Sequence, residues 1–365
     1  MRFVYAIFKL APVQRKVTLI SRQSDSITLD FGLIRERADE LLPEYRLRVL
    51  TKKVRLTPLG VAAYGFHMLR QMYHIATSEV VLLDSYCVPV SLLRHRKSLT
   101  VIQMWHAMGL MKTAGKSALG KEEGRDPSLA KLLHMHDGYD YIFASSEICK
   151  EPISKVFGYT VDHMVVMPLP TVDLLRDEAR RRQTVAMIRE KYGLTPDKKV
   201  ILYAPTFRKD ERGLQAKIDE LTAAADFDRY HLFIKLHPLS TAFSKDERAI
   251  VDKEFYSVEI AMASDFVITD YSSIIYEILI LGKPLFFYAF DLDEYKVNRG
   301  FFIDFEKEAP GSLYSEGAGL MGAIDSACFD LSAQKAFLEK YVELPEGSVV
   351  EKLADMIRSC GKSVV

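Results

Sequence analysis

Cysteine is scarce in this chain, and the cysteines it has are not spaced as pairs. The four residues are Cys87, Cys149, Cys328 and Cys360. Disulfide frameworks and zinc knuckles bring cysteines together at short, regular spacings, so the sequence predicts neither. "HMHDG" places His134 and His136 close together, but no further residue with ligand spacing accompanies them. We therefore expect no metal site, and a reducing cytoplasm suits the unpaired thiols.

Long apolar runs are also missing. No stretch approaches the roughly 20 apolar residues that span a bilayer. The opening "MRFVYAIFKLAPVQRK" is too short in its apolar part for a signal peptide and lacks a small-residue cleavage site. It mixes aromatic and aliphatic residues with Arg2, Lys9, Arg15 and Lys16, as interfacial segments do. Either contact with a membrane surface or docking on the protein's own core would account for this composition.

A net charge is absent because 49 basic and 49 acidic residues cancel, yet the charges are unevenly placed. Residues 1–100 hold 16 Lys and Arg against 8 Asp and Glu, which leaves 33 against 41 for the remainder. A basic first part suits an anionic membrane surface or a phosphorylated lipid. An ordinary solvated basic surface is the alternative.

Several common catalytic motifs do not occur. The chain has no G-x-G-x-x-G, no Walker loop, no G-x-S-x-G and no paired-aspartate metal motif. Their absence argues against NAD chemistry, ATP hydrolysis and serine-hydrolase chemistry. Nothing in the sequence suggests nucleic-acid binding.

Short apolar runs alternate with helical patterns along almost the whole chain. At 365 residues it exceeds the roughly 250–300 at which one core stops growing. Strand-like runs occupy 16–21, 45–50, 80–85, 100–105, 141–146 and 164–169, and the pattern restarts at 199–207, 231–238, 265–270 and 284–290. A charged, helical segment, 173–193, connects the two sets. We therefore predict an α/β protein with two parallel-sheet domains, 1–172 and 173–365, that face a central cleft.

Ligands of such sheets bind beyond the carboxyl ends of the strands, and histidines stand at two of these ends. His106 follows "TVIQMW" and His237 follows "FIKL". An imidazole can remove a proton from a hydroxyl or stabilise a phosphate oxyanion. Each histidine taken alone could equally be a packed structural residue.

The strand ends of the second half carry further polar residues. Thr206 and Arg208 follow "LYAP", and "FVITDYSS" ends on Asp270, Ser272 and Ser273. The two serines open the apolar helix "IIYEILIL", and a helix N-terminus favours an anion such as a nucleotide diphosphate. An ordinary serine N-cap is the alternative.

Two more residues are candidates for the nucleotide side. Glu277, in the first part of that helix, could accept hydrogen bonds from ribose hydroxyls. Arg299, beside Gly300 in "DEYKVNRGFFIDF", could hold a phosphate with two hydrogen bonds. Pairing of Arg299 with a nearby aspartate explains the same sequence equally well.

These segments together resemble a known family. "WHAMGLMKTAG", "ILYAPTFR", "KLHP", "SDFVITDYSSIIYEILILGKPLFFYAFDLDEY" and "NRGFFIDF" follow one another across about 200 residues. In this order they resemble the CDP-glycerol glycerophosphotransferase family of Gram-positive teichoic acid synthesis, the TagB/TagF-like enzymes.

The resemblance implies a GT-B type fold with two Rossmann-like domains. The C-terminal domain would hold a CDP-activated polyol, and the N-terminal domain a polyprenyl-diphosphate-linked saccharide or growing polyol-phosphate chain. Glycerol phosphate would move from CDP-glycerol to an acceptor hydroxyl, with release of CMP and without cofactor or metal. The protein would work at the cytoplasmic face of the membrane as a peripheral protein, with other polymer-assembly enzymes as potential partners.

The resemblance also assigns roles to individual residues. His106 and His237 match the catalytic histidines of the family. Asp270, Ser272 and Ser273 match its donor-phosphate contacts, with Arg299 as a weaker match.

The loop after His106 departs from the family's commonest form, His-Gly-Thr-Pro-Leu-Lys. Here it reads "HAMGLMK", which retains Leu110 and Lys112, and we assign Lys112 to the acceptor side. The chain lacks the long N-terminal extension of polymerising members, which favours a priming enzyme. Alternatives are a ribitol-phosphate transferase using CDP-ribitol, a GT-B nucleotide-sugar glycosyltransferase, and an inactive membrane-bound scaffold.

Overall fold

Two six-stranded parallel sheets organise the computed structural model, which describes residues 1–55, 57–122 and 124–361. The first sheet has the order β2-β1-β3-β4-β5-β6 and the second β12-β11-β10-β7-β8-β9. Neighbouring strands pair in parallel throughout both sheets. The strands are β1 (Gln14–Ser21), β2 (Arg46–Thr51), β3 (Ser78–Leu83), β4 (Thr100–Gln103), β5 (Tyr141–Ala144), β6 (Met164–Val166), β7 (Lys199–Tyr203), β8 (Tyr230–Ile234), β9 (Ile250–Val251), β10 (Phe266–Thr269), β11 (Leu285–Tyr288) and β12 (Leu313–Tyr314).

Helices cover both faces of each sheet, as parallel sheets require. They are α1 (Arg2–Phe8), α2 (Leu29–Leu41), α3 (Pro58–Ala76), α4 (Val88–Leu92), α5 (Pro127–Leu132), α6 (Lys150–Phe157), α7 (Thr171–Arg176), α8 (Glu178–Tyr192), α9 (Arg212–Ala224), α10 (Ser257–Ala263), α11 (Ile274–Ile280), α12 (Leu292–Asn298), α13 (Phe305–Glu308), α14 (Gly317–Asp325), α15 (Leu331–Tyr341) and α16 (Val349–Gly361).

The predicted α/β architecture with two parallel sheets is confirmed. Each of the ten predicted strands is present, usually with an end shifted by a few residues. The edge strands β9 and β12 were not predicted because each has only two residues. The connecting segment 173–193 is not one helix, since it breaks at Asp177, whose side chain accepts a 3.0 Å hydrogen bond from the Arg180 amide at the start of α8.

The last helix returns to the first half of the chain. α16 packs against α2 and β3, and an ion pair of 2.9 Å joins Arg37 of α2 to Glu351 of α16. The proposed boundary between residues 172 and 173 falls within α7, and the boundary itself stays a prediction.

Each sheet has a position where the strand order reverses, and such positions are the usual ligand sites of open α/β sheets. In the first sheet this position lies between β1 and β3. In the second it lies between β7 and β10, and the order of that sheet, read from β9, is that of a dinucleotide-binding fold. The segments after β3, β4, β7, β8 and β10 hold the candidate residues.

Candidate active site

His106 stands at the end of β4 on a strained backbone. The preceding residue, Trp105, has a φ of 66°, a conformation that costs a non-glycine residue about 1–3 kcal/mol and that is typical of functional sites. The Trp105 amide donates to Gln103 Oε1 at 2.9 Å, which holds this turn. The indole lies 4.1 Å from the His106 ring, measured between ring centroids.

The hydrogen bonds of His106 determine its tautomer. Nδ1 lies 2.9 Å from the backbone carbonyl oxygen of Asp84, at the end of β3. A carbonyl oxygen only accepts, so Nδ1 carries the proton and Nε2 keeps a free lone pair. Gln23 Nε2 also lies 3.1 Å from the same Nδ1. Two donors would face each other there, so this tautomer requires the Gln23 amide to be turned by 180°, with its oxygen toward Nδ1. This is the tautomer that a general base needs.

The surroundings keep His106 neutral although part of its surface stays exposed to the cleft. Burial by the protein around it lowers the pKa of His106 below its usual 6.5. The hydrogen bond to Asp84 opposes this shift, while the positive charges of Lys112 and Arg22 add to it. A neutral imidazole at pH 7 can accept a proton.

His237 presents the opposite tautomer. It follows β8, and its Nδ1 accepts a hydrogen bond of 3.1 Å from the Leu239 amide. The proton of a neutral His237 is therefore on Nε2, where it can be donated to an anion. Burial lowers the pKa of His237, as do the charges of Lys53 and Lys112, whereas Glu211 raises it.

Lys112 links the two histidines, since its charge lowers the pKa of both. Its ammonium is thus within electrostatic reach of both rings, and it lies 6.0 Å from the centre of the Tyr295 ring. The backbone of Lys112 forms an antiparallel β-bridge with Phe301 of the second half. The loop that carries the predicted base is thereby joined to the nucleotide half.

Further contacts strengthen this junction. The Thr113 amide donates to the Gly300 carbonyl at 3.0 Å. Arg299, predicted to reach phosphate or an aspartate, donates through Nε to the Thr113 carbonyl at 2.8 Å. Gly109 has a φ of 57° and lies directly on the ring of Tyr276 in α11.

The end of β10 is held by a buried ion-pair network. Asp270 is fully buried and accepts from the Thr206 amide at 3.0 Å and from its hydroxyl at 2.5 Å. Arg208, 7 % exposed, reaches Asp270 through Nη1 at 2.8 Å and holds Asp291 with two hydrogen bonds. Tyr271 donates to Asp291 at 3.0 Å. Direct contact of Thr206, Arg208 and Asp270 with a ligand stays a prediction; their observed role is to hold this turn.

Ser272 and Ser273 lie at the end of that turn and are partly exposed. The amides of Ile275 and Tyr276 already donate to the serine carbonyls at 3.3 and 3.2 Å. The turn therefore offers the serine hydroxyls to a ligand more readily than these two amides.

Glu277 of α11 is an unusual carboxyl group. Its Oε2 is buried and lacks a hydrogen-bond partner among the described residues. Burial raises the pKa of Glu277 to about 8, so the group is mostly protonated at pH 7. A protonated carboxyl can both donate to and accept from a hydroxyl, which suits the predicted ribose contact.

The histidines of the "HMHDG" segment contact neighbouring side chains. His136 is buried, with Nδ1 3.1 Å from the Tyr139 hydroxyl, and burial lowers its pKa to about 3. His134 lies 3.3 Å from Asp137. In the part of the chain that the structure describes, no group of three or more His, Cys, Asp or Glu is arranged to hold a metal ion. Residues 1–55, 57–122 and 124–361 also contain no helix with the length and hydrophobicity to cross a membrane.

Sequence reasoning missed two residues of this arrangement. Asp84 and Asp291 both follow strands, β3 and β11, so the strand-end rule could have found them. Asp84 presents the carbonyl that orients His106, and Asp291 is the second partner of Arg208.

Comparison with known proteins agrees with this geometry. The profile of the family CDP-Glycerol:Poly(glycerophosphate) glycerophosphotransferase matches residues 3–359. The teichoic acid ribitol-phosphate primase of Bacillus spizizenii is 31% identical over 361 residues, 96% of this chain and 92% of the relative. The teichoic acid glycerol-phosphate primase of Bacillus subtilis is 28% identical over 301 residues, 80% of this chain and 77% of the relative.

A solved structure shows the same fold. The wall teichoic acid polymerase TagF superposes with a TM-score of 0.78 at 24% identity, covering 99% of this chain and 93% of that chain. The likeness confirms the expected GT-B type fold. With the profile matched over nearly its whole length, the chain belongs to the CDP-glycerol:poly(glycerophosphate) glycerophosphotransferase family.

Proposed function

We propose that this member of the family transfers glycerol phosphate from CDP-glycerol to a hydroxyl of a polyprenyl-diphosphate-linked saccharide or growing polyol-phosphate chain, and releases CMP. Family membership supports the general reaction in this proposal, phosphotransfer from a CDP-activated polyol in teichoic acid synthesis. The observation that carries the proposal is the pair of complementary imidazoles, His106 with a free Nε2 lone pair and His237 with an Nε2 proton, around Lys112.

The reaction follows from these two tautomers. The acceptor oxygen bonds to the phosphorus that bears glycerol, and its proton passes to His106 Nε2. The bond from this phosphorus to the oxygen shared with CMP breaks, and CMP leaves with the electron pair. His237 donates a hydrogen bond to the phosphate, and Lys112 adds a positive charge. Phosphoryl transfer needs mainly such positioning and charge stabilisation.

The nucleotide would lie at the β7/β10 position of the second sheet. There the Ser272 and Ser273 hydroxyls would donate to the diphosphate, and Glu277 would contact the ribose. Arg208 and Asp270 would act by holding this turn in place. These roles rest on the position of the turn at the reversal of strand order.

CDP-ribitol is the second candidate donor, because the ribitol-phosphate primase of B. spizizenii is 31% identical over nearly its whole length. We would measure CMP release by the purified protein with a lipid-linked disaccharide and either donor, and weigh the product by mass spectrometry. A clear preference for CDP-glycerol supports the proposal, and a preference for CDP-ribitol replaces the donor. One added unit identifies a primase, and many units a polymerase.

The N-terminal helices suit contact with an anionic membrane surface from the cytoplasmic side. α1 and α3 are neighbours and expose large apolar side chains: Phe3 is 79 %, Leu59 82 % and Phe66 73 % exposed. The excess of basic residues in positions 1–100 complements anionic lipid.

Vesicle sedimentation tests this location. We expect the protein to bind phosphatidylglycerol-containing vesicles and the Leu59→Ser/Phe66→Ser variant to lose at least tenfold in binding. The matched control is Leu331→Ser, at a side chain 47 % exposed in the second half. Equal binding by all three proteins, or no preference for anionic over phosphatidylcholine vesicles, would contradict the membrane role.

A further inference from the structure

Two arginines on the acceptor side of the cleft carry an unexplained positive charge. Arg22 directly follows β1, at the position where the strand order of the first sheet reverses. Its amide donates to Ser85 Oγ at 3.1 Å, and its guanidinium lies 5.6 Å from the centre of the Tyr86 ring.

Arg125 lies on the same side, in the segment before α5. Its carbonyl accepts a 3.1 Å hydrogen bond from the Gly120 amide, which closes this loop. The surrounding protein and the positive charge of Arg22 both lower the pKa of Arg125. The two guanidiniums are therefore near enough to repel each other, with Tyr86 close to both.

Neither guanidinium has an acidic partner among the described residues. Arg22 is partly buried and Arg125 is exposed at the surface. The planar N–H groups of an arginine match a pair of anionic oxygens, as in a carboxylate or phosphate. The charge of Arg22 acts on Arg125, and a phosphate bound by both guanidiniums would offset this repulsion.

The pair lies next to the predicted base. The Arg22 amide is bonded to Ser85, and His106 to the carbonyl of the adjoining Asp84. The nucleotide turn at Ser272 belongs to the other sheet. We propose that Arg22 and Arg125 bind a phosphate group of the acceptor, and so position the acceptor hydroxyl at His106.

This assignment rests on the proposed function and deepens it. The phosphate could be the diphosphate that joins lipid and saccharide, or a phosphodiester of a polyol-phosphate chain already attached. The recognition chemistry is the same for both, so acceptors that carry one or the other distinguish the source.

The first test is kinetic. The acceptor for this test is a farnesyl-diphosphate-linked disaccharide. The double variant Arg22→Gln/Arg125→Gln should raise the KM for this acceptor at least tenfold, while calorimetry finds the affinity of the variant for CDP-glycerol unchanged. The matched control, Arg35→Gln, removes an exposed charge from α2 and should leave both values unchanged. Replacing the diphosphate of the acceptor by a monophosphate should weaken acceptor binding by the wild type but not by the double variant. If the double variant impairs binding only of an acceptor extended by polyol phosphate, the phosphodiester is the ligand.

The second test does not depend on turnover. Trp105, the one tryptophan of the chain, lies against His106, so its fluorescence should report acceptor binding without donor. We expect the double variant to bind the farnesyl-diphosphate-linked disaccharide at least tenfold more weakly than the wild type. Equal binding, or an unchanged acceptor KM in an active enzyme, overturns the site and leaves the proposed function standing. Arginine-dependent binding by a protein inactive with both donors would keep the site and overturn the function.

Discussion

The contact between Gly109 and Tyr276 yields a quantitative prediction about how the two halves of the site are held together. An ideal Cβ on Gly109 would lie 2.0 Å from Cζ of Tyr276. The tyrosine is fully buried, and its ring stacks on Phe337 with 5.9 Å between centroids. The ring has no space to move away, so Gly109→Ala must displace the loop that carries His106.

The cost has two parts. A side chain at a φ of 57° costs about 1–2 kcal/mol, and overpacking a buried contact adds about 1–3 kcal/mol. Gly193 provides the matched control, because its φ is 59° but nothing lies within 4 Å of its added Cβ. Gly193→Ala should therefore cost only the first part.

Urea unfolding and CMP release measure the two consequences. We expect Gly109→Ala to lose about 2–5 kcal/mol of unfolding free energy, or else to lose turnover by up to about 10²-fold, as a catalytic group misplaced by 1 Å does. If Gly109→Ala and Gly193→Ala match each other in stability and in turnover, the close contact of the loop with α11 is wrong.

Two further predictions concern charge. Lys112→Met should raise the pKa of His106 and His237, because the lysine lowers both. Since a base must be neutral to act, the acid limb of the pH profile of kcat/KM should move to higher pH. An acid limb that does not move would refute the placement of Lys112. Arg208→Met should cost about 3–5 kcal/mol in urea unfolding because it leaves buried aspartates uncompensated, whereas Arg212→Met, at a 91 % exposed side chain, should cost under about 1 kcal/mol. Equal losses for the two arginines would contradict the network.

Much of the fold could be predicted because parallel strands buried on both faces leave continuous apolar runs in the sequence. The same pattern led to His106, His237 and the Asp270 turn, since the residues after such strands lie at the ligand edge of the sheet. The two-residue strands β9 and β12 leave no such run.

The contacts between the two halves could not be predicted in this way. Arg299, predicted to bind phosphate or a nearby aspartate, also donates through Nε to the carbonyl of Thr113, 186 residues earlier in the chain. No local sequence pattern indicates why a glycine stands at position 109, and only the position of the Tyr276 ring explains it. Such contacts depend on how the domains meet, which local patterns do not encode.

The most direct test of the account follows labelled glycerol phosphate from CDP-glycerol to a lipid-linked disaccharide, with the wild type and His106→Ala. We predict that the wild type releases one CMP for each glycerol phosphate transferred. His106→Ala should bind the donor normally but transfer the label at least about 10²-fold more slowly, the usual contribution of a positioned base. Equal rates of transfer by the two proteins, with both correctly folded, would contradict the central claim that His106 is the base of a CDP-polyol phosphotransferase.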